Sequence, residues 1–155
     1  MEMKEVHQVE DALSVIRHAF ERYRFDEQPS SALNETVQSI QMERRNGMKL
    51  YGIWEQNEWL GVVKYVSRHD LMYFSRLSVL PDHQGKGVAT SLIRFIERQA
   101  IREGLSRSQC SVRKRETKNI CLYAKLGYAV VDESRVLNAN GHEIETLTME
   151  KQLVE

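Results

Sequence analysis

The chain has 155 residues, of which 41% are hydrophobic and 28% charged, a composition typical of one globular domain of ordinary size. Its 22 basic and 22 acidic residues give a formal net charge of zero, which argues against a nucleic-acid-binding protein, because such proteins carry a basic excess or stripe. No apolar run approaches the roughly 18–20 residues that a membrane span needs, and the opening residues contain no signal-peptide segment.

The cysteine content argues against a disulfide-stabilised or metal-binding protein. Cys110 and Cys121 are too few for a disulfide framework and lack the spacing of a metal site. We therefore expect two reduced thiols, no bound metal, and a cytoplasmic protein without a membrane or nucleic-acid partner.

The first third of the chain predicts a strand and two helices. The residues EMKEV predict a short strand. A second, shorter helix is expected to bury Leu33, Val37 and Ile40 and to end at Asn46-Gly47. Between them, apolar residues at alternating steps of four and three predict a helix with one buried stripe: Val9, Leu13, Ile16, Phe20 and Tyr23.

The middle of the chain changes to the period of strands. The segments KLYGIWEQ, EWLGVVKYVSR and DLMYFSRLSVL are rich in β-branched and aromatic residues and predict three antiparallel strands. Tight turns at Gln56-Asn57 and His69-Asp70 are expected to join them.

The rest of the chain adds two helices and three strands. A long helix is expected after Gly87 with a cap at Gly104, and the segment KNICLYAKLGY predicts a short helix closed by Gly127. SRSQCSV, AVVDESRVL and EIETLTMEKQL predict strands. The order β-α-α-β-β-β-α-β-α-β-β predicts a single α+β (mixed α/β) domain over residues 1–155, with about seven strands and about four helices. The twisted sheet should be mostly antiparallel, with a parallel part where helices cross over.

A glycine-bearing loop, QGKGVA, connects the fourth predicted strand to the long helix. A strand, a glycine loop and a helix together often present free backbone N–H groups to a phosphate. A Walker loop needs G-x-x-x-x-G-K-[ST], and a dinucleotide fingerprint needs a third glycine that GKGVAT lacks. Neither pattern fits. The alternative to a phosphate-binding loop is a simple turn that opens the helix.

A third pattern, Q/R-x-x-G-x-G/A, matches Gln84 to Ala89 at every defined position. This stretch resembles the GNAT superfamily of acyl-CoA-dependent N-acetyltransferases. The segment NICLYAKLGY, residues 119–128, is similar to that family's second signature, and the order of elements agrees over nearly the whole chain. The resemblance implies a GNAT-like fold with acetyl-CoA as co-substrate.

The resemblance also assigns residues to the coenzyme. Backbone amides at a helix N-terminus would hold the pyrophosphate, because they are unpaired and carry partial positive charge. The fourth strand would run beside the pantetheine and thioester, with the Val79 N–H on the thioester carbonyl. The residues so implied are Leu77, Ser78, Val79, Gln84, Gly85, Lys86, Gly87, Val88, Ala89, Thr90 and Asn119.

Tyr123 is the group that the resemblance places at the departing sulfur. Its free pKa of about 10 exceeds that of a thiol, about 8.5, so we expect a hydrogen bond to developing thiolate charge rather than early proton donation. A core-facing aromatic is the alternative. Asn119 either binds the pantetheine amides or caps its helix. No general base is assigned, because the stretch YFSRLSV holds no carboxylate and His69 and Asp70 lie at the far end of that strand.

Several basic residues have two readings. Strand alternation puts Arg76 with Phe74 and Ser78, opposite Leu77 and Val79, where it would bind a substrate carboxylate or pair with a structural glutamate. A second basic cluster would assist the 3′-phosphate of the coenzyme or be a solvated loop: Arg113, Lys114, Arg115 and Lys118.

The sequence thus favours an N-acetyltransferase that moves an acetyl group from acetyl-CoA to a primary amine of a small molecule or peptide by direct attack in a ternary complex. The segments RYRFDEQPSSALNE and VLNANGHE are expected to bind the acceptor. Two alternatives stay open: a non-catalytic acyl-CoA sensor of the same fold, and a module that binds a nucleotide phosphate through QGKGVA. A homodimer through edge strands is also left open.

Overall fold

The computed structural model of the chain describes residues 1–21, 31–137 and 141–153 and confirms the predicted order of elements. The strands are β1 Glu2–Glu5, β2 Lys49–Glu55, β3 Glu58–Arg68, β4 Leu71–Val79, β5 Arg107–Arg113, β6 Ala129–Leu137 and β7 Glu143–Gln152. The helices are α1 Val9–Phe20, α2 Val37–Arg45, α3 Val88–Arg102 and α4 Thr117–Lys125. Tyr23, predicted on the first helix, lies outside the described residues. The same is true of residues 22–30 and 138–140 of the two segments expected to bind the acceptor.

Helix α2 starts later than the apolar pattern suggests. Thr36 caps it: the Thr36 hydroxyl accepts from the Ser39 amide, and the Ser39 hydroxyl accepts from the Thr36 amide, each at 3.0 Å. The expected helical position of Leu33 is therefore wrong, because this cap fixes the helix start after it. Leu33 lies half-buried in a 3-10 turn, Ser31–Asn34, in which Ala32 is the buried residue.

All seven strands form one sheet in the order β1-β2-β3-β4-β5-β7-β6. Every neighbouring pair is antiparallel except β4 and β5. The hairpin turns form as expected, with positive φ at Gln56, Asn57 and His69. The sheet is therefore mostly antiparallel, as predicted.

The parallel strands β4 and β5 stay together for only a short distance. They pair from Leu71–Tyr73 to Arg107–Gln109 and no further. Arg107 anchors the paired end, donating to Asp70 at 2.5 Å and to Glu150 at 2.9 Å. Beyond it, β4 pairs only with β3 and β5 only with β7, so the two strands separate towards their carboxyl ends.

A bulge in β4 changes which side chains share a face. Between the pairs Lys64–Ser75 and Val62–Ser78, β4 holds one residue more than β3, and Arg76 there has a φ of +51°. The predicted placement of Phe74 on the same face as Arg76 and Ser78 is therefore wrong. Phe74, Leu77 and Val79 all pack in the core beneath α3 and α4, whereas Ser78 pairs with Val62 of the core beneath α1 and α2.

A buried polar network joins α3 to three strands. The Tyr128 hydroxyl donates to Glu97 at 2.9 Å and lies 2.8 Å from the Ser108 hydroxyl, while Lys151 donates to the other Glu97 oxygen at 3.1 Å. Glu97, Ser108 and Tyr128 are all buried. Because these groups satisfy one another, the network fixes how α3 sits on β5, β7 and the start of β6.

Buried tyrosine and cysteine side chains should lower the stability of the fold at alkaline pH. Burial, with help from Glu103 and Glu5, raises the pKa of Tyr65 to about 12, and burial raises the pKa of Cys110 to about 12. The pKa values of Tyr123 and Tyr128 are raised too, again mainly by burial. Between the ordinary pKa of each group in the unfolded chain and its raised pKa in the folded chain, the folded chain keeps a proton that the unfolded chain has lost. The free energy of unfolding therefore falls as pH rises through that range.

We predict that the free energy of unfolding falls between about pH 9 and pH 12, by up to about 1.4 kcal/mol per pH unit for each such group. Urea titrations across this range would measure it, and the Tyr65→Phe variant should show a shallower decline. If the free energy of unfolding of Tyr65→Phe fell with pH as steeply as that of the parent, Tyr65 would not be one of the groups responsible.

Candidate active site

The glycine loop adopts a conformation that only glycine takes readily. Gly85 and Gly87 have φ values of +78° and +84°, and a Cβ at either position would meet no atom within 4 Å. The backbone therefore demands glycine, while the space above the loop is open. Helix α3 follows at once, and its first internal hydrogen bond runs from the Ser91 amide to the Gly87 carbonyl. The amides of Val88, Ala89 and Thr90 thus have no acceptor within the helix.

A groove of about 470 Å³ opens over this loop, a volume in the usual range for small-molecule sites. The end of β4 and the amino end of α3 form one side, and α4 and the end of α1 form the other. Its lining residues are Ala19, Phe20, Leu77, Val79, His83, Gln84, Gly85, Gly87, Val88, Ala89, Thr90, Lys118, Asn119 and Leu122.

A second cavity, of about 620 Å³, occupies the gap where β4 and β5 separate. It shares Phe20, Leu77 and Asn119 with the groove, so the two spaces adjoin. Its other lining residues are Ser31, Glu35, Glu43, Lys64, Arg68, Tyr73, Ser75, Arg76, Ser111, Val112, Arg113, Glu116, Tyr123, Val136, Leu137, Ile144 and Thr146. Two ligands can therefore meet at the shared wall.

Tyr123 lines the second cavity from α4. Its ring packs against Phe74 and Tyr128 and is 6% exposed. Its hydroxyl makes no hydrogen bond to any residue that the structure describes, which is unusual for a buried hydroxyl. Burial raises its pKa, and the neighbouring Cys110 and Tyr73 add to the effect. Tyr123 therefore offers a neutral O–H donor that has no partner in the described part of the chain.

A buried ion cluster forms the floor of the second cavity. Lys64, 2% exposed, places its Nζ 2.5 Å from Glu35 Oε2 and 2.5 Å from Glu43 Oε1. Arg76 Nε lies 3.4 Å from the same Glu35 oxygen, and Arg76 Nη2 donates to Ser31 Oγ at 3.0 Å. Of the two readings left open for Arg76, the structure shows pairing with a structural glutamate.

The sequence analysis missed this cluster, although it left one signal. Lys64 interrupts the apolar run WLGVVKYV in a central strand, and a lysine there must be paired to be buried. Glu35 brings a carboxylate to β4 from another segment. Its Oε2 is occupied by Lys64 and Arg76, and its Oε1 lies 3.4 Å from Ser39 Oγ, so we do not assign it as a base.

Most of the residues implied for coenzyme binding line the groove: Leu77, Val79, Gln84, Gly85, Gly87, Val88, Ala89, Thr90 and Asn119. Two do not. The Ser78 side chain is buried and donates to the Arg76 carbonyl at 2.8 Å, and Lys86 is exposed away from the lining. Asn119 is the third residue of α4, whose cap is Glu116, so the capping alternative is wrong.

The basic cluster before α4 divides between different surroundings. Lys118 lines the groove and Arg113 lines the second cavity. Lys114 pairs with Glu133 at 3.1 Å and with Glu145 at 3.7 Å, which raises its pKa. Of this cluster, only Lys118 is placed to meet a ligand in the groove.

Within residues 1–21, 31–137 and 141–153, no group of three or more His, Cys, Asp or Glu side chains is arranged to hold a metal ion. No helix in these ranges has the length and apolar character to cross a membrane.

Comparison with known proteins gives a consistent picture. The sequence profile described as the Acetyltransferase (GNAT) family matches residues 12–128. No curated protein sequence matches the chain. Many solved structures share its fold.

Three of these structures illustrate the likeness. The protein smu.2055 from Streptococcus mutans UA159 has a TM-score of 0.80 at 14% identity, covering 99% of this chain and 100% of its own. The ribosomal-protein-alanine N-acetyltransferase from Brucella melitensis has a TM-score of 0.74 at 15% identity, covering 99% and 100%. The protein yncA from Salmonella typhimurium, solved with its cofactor acetyl-CoA, has a TM-score of 0.73 at 18% identity, covering 100% and 95%. At these identities the likeness shows the fold.

The glycine loop gives a direct test of the groove. If the groove binds acetyl-CoA, Gly87→Glu should abolish the resulting rise in melting temperature, because it puts bulk and negative charge where a phosphate would lie. Gly104→Glu is the matched control, since Gly104 has a similar φ of +76° and equally open space but lies beyond the far end of α3. Both variants should lose a similar amount of stability, about 1 kcal/mol. Only Gly104→Glu should keep the rise in melting temperature with acetyl-CoA. Loss of that rise in both variants would contradict a specific role of the glycine loop in phosphate binding.

Proposed function

The chain belongs to the acetyltransferase (GNAT) family, and on that premise we propose that it transfers an acetyl group from acetyl-CoA to a primary amine of a small molecule or peptide. One observation carries the proposal: the groove over the glycine loop adjoins the cavity lined by Tyr123, whose hydroxyl has no partner among the described residues. Phe20, Leu77 and Asn119 form the wall common to both, where coenzyme and acceptor would meet.

The groove suits coenzyme A on its own chemistry. Free amides of Val88, Ala89 and Thr90 at a helix N-terminus favour a pyrophosphate, and the open space above Gly85 and Gly87 lets its oxygens approach. Lys118 supplies a cation at the same groove. When bound there, acetyl-CoA supplies a thioester whose carbonyl carbon accepts the amine.

Direct transfer between the two bound molecules is supported by the lining residues. The amine nitrogen forms a bond to the carbonyl carbon while the carbon–sulfur bond breaks, so one proton leaves the nitrogen and one is taken up by the thiolate. Within the described part of the chain, neither Cys110 nor Cys121 lines the groove or the cavity. A covalent acyl-cysteine therefore has no support from the geometry.

Two groups of this chain would assist the transfer. We assign the Val79 N–H to the thioester carbonyl, since Val79 lines the groove at the end of β4. We assign the Tyr123 hydroxyl to the departing sulfur as a hydrogen-bond donor. Its raised pKa makes early proton donation unfavourable but keeps the hydroxyl protonated and able to donate. Water in the open cavity is the acceptor we favour for the amine proton.

The floor of the acceptor cavity carries no net charge. The charges of Lys64 and Arg76 are balanced by those of Glu35 and Glu43 within the floor cluster. Arg68 and Arg113 against Glu116 leave the whole lining with one cation in excess, which favours entry of a neutral amine. The apolar Val136, Leu137 and Ile144 offer contacts for the rest of the acceptor.

Thermal unfolding with acetyl-CoA, CoA, ATP and NAD in parallel tests the proposal. A ligand present at about 100 times its dissociation constant should add roughly 2.7 kcal/mol of stability. We expect acetyl-CoA and CoA to raise the melting temperature and ATP and NAD to leave it unchanged. A screen of acceptor amines with acetyl-CoA should then show amine-dependent release of the thiol. A shift with ATP or NAD instead would reject the coenzyme assignment.

Two tyrosines that touch each other provide a matched pair of variants. Tyr123→Phe should lower kcat by about tenfold or more while leaving acetyl-CoA affinity and melting temperature near those of the parent, because its hydroxyl bonds to no described residue. Tyr128→Phe should do the opposite, costing about 1–3 kcal/mol of stability by leaving buried Glu97 short of a donor. Equal kcat for Tyr123→Phe and the parent would remove Tyr123 from the mechanism, whereas binding of acetyl-CoA without turnover in the parent would favour a non-catalytic acyl-CoA sensor.

A further inference from the structure

Arg68 differs from the other arginines of the second cavity in what it contacts. It ends β3, two residues after Val66, which pairs with Tyr73 of β4, so the Arg68 and Tyr73 side chains lie diagonally on one face of the sheet. The central carbon of the Arg68 guanidinium lies 4.2 Å from the centroid of the Tyr73 ring. Arg68 makes no ion pair with a carboxylate of any residue that the structure describes. Because the ring offers only its face, the guanidinium N–H groups stay available to a ligand.

The charge of the cavity lining favours a ligand with one negative charge. The members of the floor cluster balance one another, and Arg113 and Glu116 carry opposite charges, so Arg68 is the cation that remains among the described lining residues. A carboxylate carries one negative charge, and its two oxygens match the planar fork of N–H groups on a guanidinium. A phosphate monoester carries nearly two charges and matches this lining less well.

Hydroxyl groups in the same cavity can assist Arg68. Tyr73 and Ser75 are two residues apart on β4 and therefore point to the same face, and Ser111 of β5 lies across the gap between the strands. None of these hydroxyls makes a hydrogen bond to a residue in the described part of the chain. Since a hydroxyl donates a hydrogen bond without adding charge, these groups can bind a carboxylate oxygen or a neighbouring carbonyl without changing the charge balance.

We propose that Arg68, held over Tyr73, binds a carboxylate of the acceptor, and that the acceptor is an amine whose carboxylate lies about 10 Å from the reactive nitrogen. The distance follows from β4, because the nitrogen would lie at the shared wall beside Leu77. The strand takes four steps from Tyr73 to Leu77, and the bulge absorbs one of them. The position of the nitrogen rests on the proposed function, whereas the binding of a carboxylate at Arg68 does not.

The spacing selects a class of acceptor and a pair of probes. In a free α-amino acid the nitrogen and the carboxylate are separated by one carbon atom, so a single molecule cannot reach both positions. An extended peptide advances about 3.3–3.6 Å per residue, so triglycine spans about 10 Å between its amine and its carboxylate. Triglycine amide has the same amine and the same length but lacks the negative charge. Comparison of the two probes therefore isolates the effect of the carboxylate.

Binding of the two probes tests Arg68 without any need for catalysis. NMR titrations of the full chain in the presence of CoA should show that triglycine binds about tenfold or more tightly than triglycine amide, because only the acid gains a charge-assisted hydrogen bond. The preference should disappear in Arg68→Gln and persist in Arg98→Gln, which removes the same charge from an exposed position outside both the groove and the cavity. Equal affinities for the two probes in the parent, or an undiminished preference in Arg68→Gln, would overturn the proposal.

Turnover tests the spacing. With acetyl-CoA, kcat/KM should be about tenfold or more higher for triglycine than for triglycine amide. Glycine should show no such preference over glycine amide, because its carboxylate cannot reach Arg68 while its nitrogen lies at the shared wall. An acid preference as large for glycine as for triglycine would overturn the placement of the carboxylate. If Arg68-dependent binding of triglycine were found without acetyl transfer to any probe, the carboxylate site would be supported and the proposed function rejected.

Discussion

The structure depends on the separation of β4 from β5. Three residue pairs hold the parallel strands together at the end anchored by Arg107, and beyond them each strand pairs only with its other neighbour. A continuous sheet would leave no room at its centre. Because the strands part, much of the lining of the groove and of the second cavity comes from helices and strands, which position side chains more rigidly than loops do.

Two buried polar clusters keep this opening in shape, one on each face of the sheet. Beneath α3, the network of Glu97, Tyr128 and Ser108 ties that helix to the strands beyond the gap. On the opposite face, Lys64 and Glu35 tie β3 to the chain before α2. Polar groups buried in this way are stable only in one mutual arrangement, so they specify a geometry that apolar packing alone would leave less defined. The bulge at Arg76 also helps to shape this opening, because it turns Phe74, Leu77 and Val79 toward one core.

Local signals predicted most of the fold, whereas long-range contacts decided the rest. Strand and helix periods, the turn at Gln56-Asn57 and the glycine loop are all properties of a few adjacent residues. The start of α2 was misjudged because the Thr36–Ser39 cap outweighs the apolar spacing of Leu33. The grouping of Phe74 with Arg76 on one face was misjudged because a bulge depends on how β4 pairs with β3, which no short segment encodes. The meeting of Glu35 with Lys64 joins residues 29 positions apart, so the lysine alone could hint at it.

The floor cluster has a consequence for how this protein can change over evolutionary time. Lys64 is buried between two carboxylates, so replacing it alone would leave Glu35 and Glu43 without their shared cation. Losing one member of a buried ion pair is costly, while exchanging all members for well-packed apolar residues is often neutral. These positions are thus expected to vary together or not at all. New acceptor preferences would then arise first at the rim of the cavity, where single substitutions at exposed residues such as Leu137 carry little penalty.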